Sequence, residues 1–406
     1  MKLFVRNLIL TIASVLFALI LTMIADRVLG PFLPKPYPSG THDLIFPPLS
    51  HQEFASVDFT YIVETNSLGL RDKEVQRPKP NNVLRIVGVG DSYTYGWGVN
   101  IEDTWLRRLE SLLNIPEKKI ETVNVGKPGA GPPFYAEISQ KLVPILEPDI
   151  ILVGILQGND IASSGSEGLE QVGNKLVDWT RYFFPNFVRL VELIKLSKDL
   201  ESRTQERPPE KTTTEDNRKW TENTAREFYQ KMSPEERERF EKLDEEVKSA
   251  FFKGLLNPYM IDLALKNKHI YTLTLNPEDP WIKQCIENMA KALMIIKNVG
   301  SRFGAKVAVV AIPDGPYVNE VAWHNIQKVG FDAVPDMLTS DAPDLVIKKA
   351  SEMAGVPCFT VSEEFRKKKN ADNLFFKLDG HLTPEGHKLL AETLAPKLQK
   401  WLTENE

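Results

Sequence analysis

A three-layer α/β fold, with five parallel strands between helices, is predicted by three features of this 406-residue sequence. Short apolar runs such as 83–89 and 149–156 stop abruptly at Gly, Asp or Asn, as strands buried on both faces of a parallel sheet do. Stretches of helical periodicity separate these runs, so each strand returns parallel to the last and helices cover both faces. With 42% hydrophobic and 26% charged residues, the chain can bury a full core and still carry an insertion.

Taken in order, Lys2 and Arg6 precede a segment, 7–25, that carries no charge. As a helix it spans about 28 Å, enough to cross a bilayer core. The cations before it place residues 1–6 in the cytoplasm and everything from Asp26 outside. A cleaved signal peptide is the competing reading. Met23 sits where cleavage after Ala25 wants a small residue, and Pro31 follows a cleavage at Gly30, so an uncleaved anchor is expected. Residues 26–52 form a stem, rich in proline and aromatic residues from Pro31 to Pro48, and read as an extended spacer without a core.

Val57, Phe59, Tyr61 and Val63 alternate with Asp58, Thr60, Ile62 and Glu64, a period-two strand that ends at the Asn66–Gly69 turn. The run 83–89 is the first sheet strand. Gly90 then frees the chain to turn where open α/β sheets place ligands, and presents Ser92 as a candidate nucleophile. Tyr93, Tyr95 and Trp97 follow; they either pack the loop or stack on a sugar or acyl group, with Trp97, between two glycines, the better candidate for stacking. Trp105, Leu109 and Leu112 mark the first crossover helix over 102–113. The second strand, 120–125, runs into a loop with Gly126, Gly129 and Gly131. The third, 149–156, runs into Gly158-Asn159-Asp160, where an isolated Asn reads as a helix cap.

An insertion, 161–279, then interrupts the rhythm. Its first part, 176–196, holds Trp179, Tyr182, Phe183, Phe184, Phe187, Leu190 and Leu193, enough apolar surface to pack on the core or touch a membrane. From 201 to 248 interspersed charges read as solvated helices or a flexible segment, with Ser233-Pro234-Glu235-Glu236 a clean helix start. Order resumes with Ile282, Cys285, Ile286, Met289, Leu293 and Ile296 on one helix face. A fourth strand over 306–312, a helix over 345–354 and a fifth strand over 357–361 follow. Thr383 caps a last helix that turns Leu389, Leu390, Leu394, Leu398 and Trp401 inward. The two cysteines, Cys285 and Cys358, sit in apolar patterns and read as buried thiols, a single bridge being the alternative.

Gly90-Asp91-Ser92-Tyr93-Thr94 together with Asp379-Gly380-His381 resembles the GDSL/SGNH hydrolase family, as do the glycine block at 124–129 and the asparagine block at 158–160. The four blocks occur in the family's order, and the likeness covers residues 53–160 and 281–402. It implies a flavodoxin-like three-layer α/β/α SGNH fold, bipartite in sequence: a first part, 53–160, and a second, 280–406, around a mainly helical insertion. It further implies that Ser92 is the nucleophile, His381 its base, and Asp379 the acid that orients the imidazole. The N–H groups of Ser92 and Gly129 and the amide of Asn159 would form the oxyanion hole. No cofactor and no metal is implied. Asp379 lies two residues before His381 where the family commonly has three, a spacing also found in related polysaccharide O-acetyltransferases. His387 is the alternative base, while His42, His51, His269 and His324 show no metal-ligand spacing. Gly69-Leu70-Arg71-Asp72 resembles the lead-in of bacterial extracellular members, with a structural role.

A net charge of −5 gives no footprint for nucleic acid. Gly88-Val89-Gly90 fails as a dinucleotide fingerprint because Tyr93 stands at the third glycine position. The expected function is a membrane-tethered, extracytoplasmic serine esterase acting on O-acyl, chiefly O-acetyl, esters of a cell-envelope or exported polysaccharide. An acetyltransferase with the same triad is the alternative, and an inactive tethered binding or scaffold protein the alternative of another class. The insertion would cover one side of the pocket and select the substrate.

Overall fold

The computed structural model describes residues 2–33, 41–165, 180, 182–203 and 210–404, so Trp179 and part of the stem lie outside the described residues. The chain divides into two compact units: residues 1–39 with 170–205, and residues 40–169 with 206–406.

The smaller unit opens with α1 (Lys2–Leu29), whose apolar side chains are exposed all round. Leu3–Phe32 is long and apolar enough to cross a membrane.

In the larger unit residues 41–50 are no free spacer, contrary to expectation. His42, Leu44, Phe46 and Leu49 donate backbone hydrogen bonds to the carbonyls of Ser67, Leu68, Gly69 and Asn66, and His42, Leu44 and Ser50 are buried. Strand β1 (His51–Ala55) pairs antiparallel with β2 (Thr60–Glu64). Tyr61 and Val63 point inward as the alternation predicts, but the strand begins at Thr60, because residues 56–59 make the hairpin turn.

The main sheet starts with β3 (Val83–Gly90), followed by α2 (Ser92–Tyr95), α3 (Trp105–Leu112), β4 (Lys119–Gly126), α4 (Pro132–Leu146), β5 (Ile150–Leu156) and α5 (Asn159–Ser163). Every residue of β5 is buried, which is why its sequence is a continuous apolar run. Arg85 is the exception in β3, and its buried guanidinium is satisfied by Glu121 at 2.5 Å and by the carbonyls of Leu146 and Gln76. Leu112 is exposed, its expected inward place taken by Leu106 and Leu113.

Within the expected insertion, α6 (Pro185–Arg203) belongs to the smaller unit. The rest joins the larger one: β6 (Lys211–Thr212), α7 (Thr214–Lys231), α8 (Pro234–Glu241), α9 (Glu245–Phe252), α10 (Pro258–Lys266) and α11 (Ile270–Leu273). The charged stretch is thus helical, yet more than a solvated face. Phe240, Val247, Phe251 and Ile261 close a second core with Phe331 and Leu378, which follow the insertion in sequence. Strand β6 also adds to β1 in parallel.

The chain returns through α12 (Pro280–Arg302), β7 (Lys306–Ile312), α13 (Glu320–Lys328), α14 (Ala342–Ala354), β8 (Cys358–Thr360), α15 (Ser362–Arg366) and α16 (Pro384–Glu404). The sheet order β4-β3-β5-β7-β8, parallel throughout, is the flavodoxin-like order, and the fold is the expected three-layer α/β/α arrangement. Ile86, Ile150 and Leu152 pack with α3 and α16 on one face. Ile151 and Val307, one residue out of step, meet Gly300 of α12 on the other. Cys285 and Cys358 are free thiols, and burial pushes both up to about 12.

Candidate active site

The strand-to-helix turn after β3 has no room for a side chain at its hinge: a Cβ on Gly90 would sit 2.1 Å from Thr94 Oγ1. Asp91 caps α2, its Oδ1 accepting from the Tyr93 N–H at 2.9 Å, and so sets Ser92 at the helix start. Buried Arg71 holds the far end by donating to the carbonyls of Tyr95, Gly96 and Val99 at 2.8, 2.7 and 2.6 Å. The Gly69–Asp72 lead-in is therefore a prop beneath the serine turn.

Across the site, the loop before α16 carries the candidate base and acid. His381 Nε2 lies 2.7 Å from Ser92 Oγ, and His381 Nδ1 lies 2.5 Å from Asp379 Oδ1. A carboxylate only accepts, so Nδ1 bears the proton and Nε2 offers its lone pair to the serine hydroxyl. Gly380 makes the two-residue spacing workable: at φ +81° it turns the backbone so that both neighbours face the same point. Two further groups fix the acid. Trp97 Nε1 donates to Asp379 Oδ2 at 3.2 Å, and Asp58 Oδ2 accepts from the N–H groups of Leu378 and Asp379 at 2.7 and 2.9 Å.

Electrostatics favour a charged imidazole. Burial pulls the His381 pKa down, but the charge and hydrogen bond of Asp379, helped by Asp91 and Asp314, outweigh it and leave it raised. Asp91 and Asp314 are themselves pushed up to about 6 by burial. Asp314 lies 3.3 Å from the Tyr93 hydroxyl, which also lies 3.1 Å from the Gly380 carbonyl. The Tyr93 ring packs 4.9 Å from His381.

His387 differs in every respect. Burial, then Arg71, His381 and Arg108, pull its pKa down to about 3, and its Nδ1 accepts the Trp105 N–H at 3.2 Å. It is a neutral core histidine.

Sheet order sets Gly129 and Asn159 on either side of the serine turn, because β4 and β5 flank β3. Gly129 has φ +73° and open space around its Cβ position. Asn159 is the half-buried first residue of α5, whose cap is Gly158. The N–H groups of Ser92 and Gly129 and the Asn159 side chain have no hydrogen-bond acceptor among the described residues. Of the two readings for Tyr93 and Tyr95, packing of the loop holds: both are buried, the latter against Phe46 and beneath Arg71. Half-buried Trp97 serves Asp379.

Sequence reading missed Asp58 and Asp314. Asp58 lies 320 residues from Leu378, with no local signal, whereas Asp314 stands just past the end of β7, the position that had pointed to Ser92 and Asn159.

Fold and site together define a class: a three-layer α/β/α protein with a Ser-His-Asp array at the carboxyl ends of its strands. No family model and no curated protein matches the chain. Solved structures do. The psychrotrophic esterase EstA from Pseudoalteromonas sp. is 10% identical, with 79% of this chain and 99% of that one covered and a TM-score of 0.35. A lipase/acylhydrolase from Enterococcus faecalis is 12% identical, with 78% and 95% covered and a TM-score of 0.34. A catalytic mutant of an acetylxylan esterase from Geobacillus stearothermophilus is 12% identical, with 77% and 92% covered and a TM-score of 0.36. Likeness at this level assigns no activity.

Proposed function

We propose that the protein is an SGNH-type serine ester hydrolase, and the observation that carries the proposal is the continuous link from Ser92 Oγ through His381 to Asp379. Ser92 Oγ forms a bond to the acyl carbon while its proton passes to His381 Nε2. The carbonyl oxygen becomes an oxyanion facing the N–H groups of Ser92 and Gly129 and the amide of Asn159, each such donor being worth about 10²–10³ in rate. Collapse breaks the ester C–O bond, and His381 returns the proton to the departing alcohol. Water, deprotonated by the same nitrogen, then releases the acid. Asp379 holds the tautomer and stabilises the imidazolium. The test is a fluorophosphonate probe, read by peptide mass. It should modify Ser92 and nothing in the Ser92→Ala variant; a wild-type protein that resists the probe defeats the reading.

The substrate we assign is an O-acetyl ester on an envelope or exported polysaccharide. Two features favour it: α1, which would span the cytoplasmic membrane with Lys2 and Arg6 inside and the catalytic unit outside, and the insertion. The insertion brings Tyr271 against the strand end that bears Asn159, where a Cβ on Gly158 would meet its ring at 2.9 Å. Protease added to spheroplasts should digest the catalytic unit, and protection would refute the topology. An acetyl donor supplied with and without a glycan acceptor distinguishes free acetate from acceptor-dependent transfer. Neither product across a broad glycan panel would refute the carbohydrate substrate.

A further inference from the structure

Helix α6 divides its apolar residues between two faces. Leu193 and Leu196 are buried, whereas Phe187, Val191 and Ile194 are exposed by 38%, 51% and 48%. The exposed three follow i, i+4, i+7 and so form one stripe along the helix. Lys198, four residues on, continues the stripe as an exposed cation, and exposed Lys195 borders it.

The start of α6 is pinned to the end of α1. Asp26, the first charge after the apolar run 7–25, is fully buried and accepts from the N–H groups of Phe187 and Asn186 at 2.7 and 3.3 Å. The two segments approach closely: a Cβ on Gly30 would lie 2.8 Å from Asn186 Oδ1, and that side chain would have to shift. If α1 crosses a bilayer, its uncharged run must end near the headgroups, and Asp26 fixes the first turn of α6 at that level.

We propose that α6 is an interfacial helix that lies on the lipid surface with Phe187, Val191 and Ile194 in the upper acyl region, continuous with the apolar surface of α1. Interfacial helices of this kind carry an apolar stripe a few ångströms into the acyl boundary while lysines at its margin reach the headgroups. The occupant is the bilayer that α1 already requires, so the proposal rests on the membrane-span reading of α1.

The test uses the full chain in phosphatidylethanolamine/phosphatidylglycerol vesicles, with Cys285→Ala and Cys358→Ala removing the native thiols and fluorophosphonate labelling confirming an intact site. A polarity-sensitive fluorophore is attached in turn through Val191→Cys, Ile194→Cys, Glu192→Cys and Leu16→Cys. Lipids bearing a nitroxide near the headgroup should quench the probes at 191 and 194 at least ~2-fold more than the one at 192, as expected of a helix half-sunk in the interface. Aqueous iodide should reverse that order, and a deep nitroxide should quench the probe at 16. Iodide quenching of 191 and 194 with 16 still deep overturns the interfacial helix and leaves the span standing. Shielding of 191 and 194 from both quenchers means that protein covers the stripe, which also overturns the proposal. A probe at 16 that iodide reaches overturns span and interfacial helix together.

Discussion

The loop that carries His381 and the first turn of α16 that carries His387 lie within one short stretch of chain, yet they make two chemically different imidazoles. His381 keeps 17% of its side chain open to solvent and faces Asp379, with Asp91 and Asp314 adding to the field. His387 is 1% exposed, faces Arg71 and Arg108, and spends a ring nitrogen on a backbone N–H. Residue type is shared; the deeper burial of His387 and the opposite sign of the charge around each ring decide which one can take and hold a proton.

The largest expected effect tests this contrast directly. His381→Ala, like Ser92→Ala, should lower kcat for a short-chain aryl ester by about 10⁶, since triad members act as a unit. His387→Ala should leave kcat within a few fold but cost about 1–3 kcal/mol of stability by orphaning the buried Trp105 N–H. Comparable kinetic losses in the two variants would erase the distinction. Next, Asp379→Asn should cost about 10⁴ in kcat by removing the charge that fixes the tautomer. A loss under tenfold would mean that another group orients His381.

A smaller effect is expected at the support of the acid. Asp58→Ala should lower kcat by about 10–100-fold with KM little changed, because a shift of the loop by about an ångström is enough. Asp58→Asn should stay near wild type, since a single carbonyl oxygen can accept from both Leu378 and Asp379. Equal losses in both variants would show that charge matters here and positioning does not.

Smallest is the pH effect of Asp314. The base must be neutral to act, so activity falls as pH drops through the His381 pKa, which lies above its ordinary 6.5. Asp314, at about 6, is ionised there and raises that pKa. Asp314→Asn should therefore move the acid limb of kcat/KM to lower pH. A limb that stays in place would leave the field to Asp379 and Asp91.

How much of this was legible depended on whether the signal was local. The runs at β3, β5 and β7 were plain because both faces of the sheet are covered, and the face of α12 was plain because a long helix repeats its pattern. Ser92, Asp379 and His381 could be named from short blocks, and the structure brings them together. Strand β1 left no pattern, since all its residues are half-buried. The second core stayed hidden because Phe240 and Val247 are spaced singly among charges and find their partners in Phe331 and Leu378, far along the chain. Removing 201–248 would therefore strip packing from Leu378, beside Asp379.

The carboxylates around His381 also bear on how a turnover ends. The proposed ester hydrolysis would leave an anion in the site, and Asp91, Asp314 and Asp379 would then face a fourth negative charge. Electrostatic expulsion should keep the acid product from accumulating on the protein, so added acetate should inhibit feebly near pH 8. Inhibition should strengthen towards pH 6, where Asp91 and Asp314 take up protons and His381 is cationic. Acetate inhibition constants measured across that range should fall with pH, and a constant that does not change would mean the product departs without being pushed.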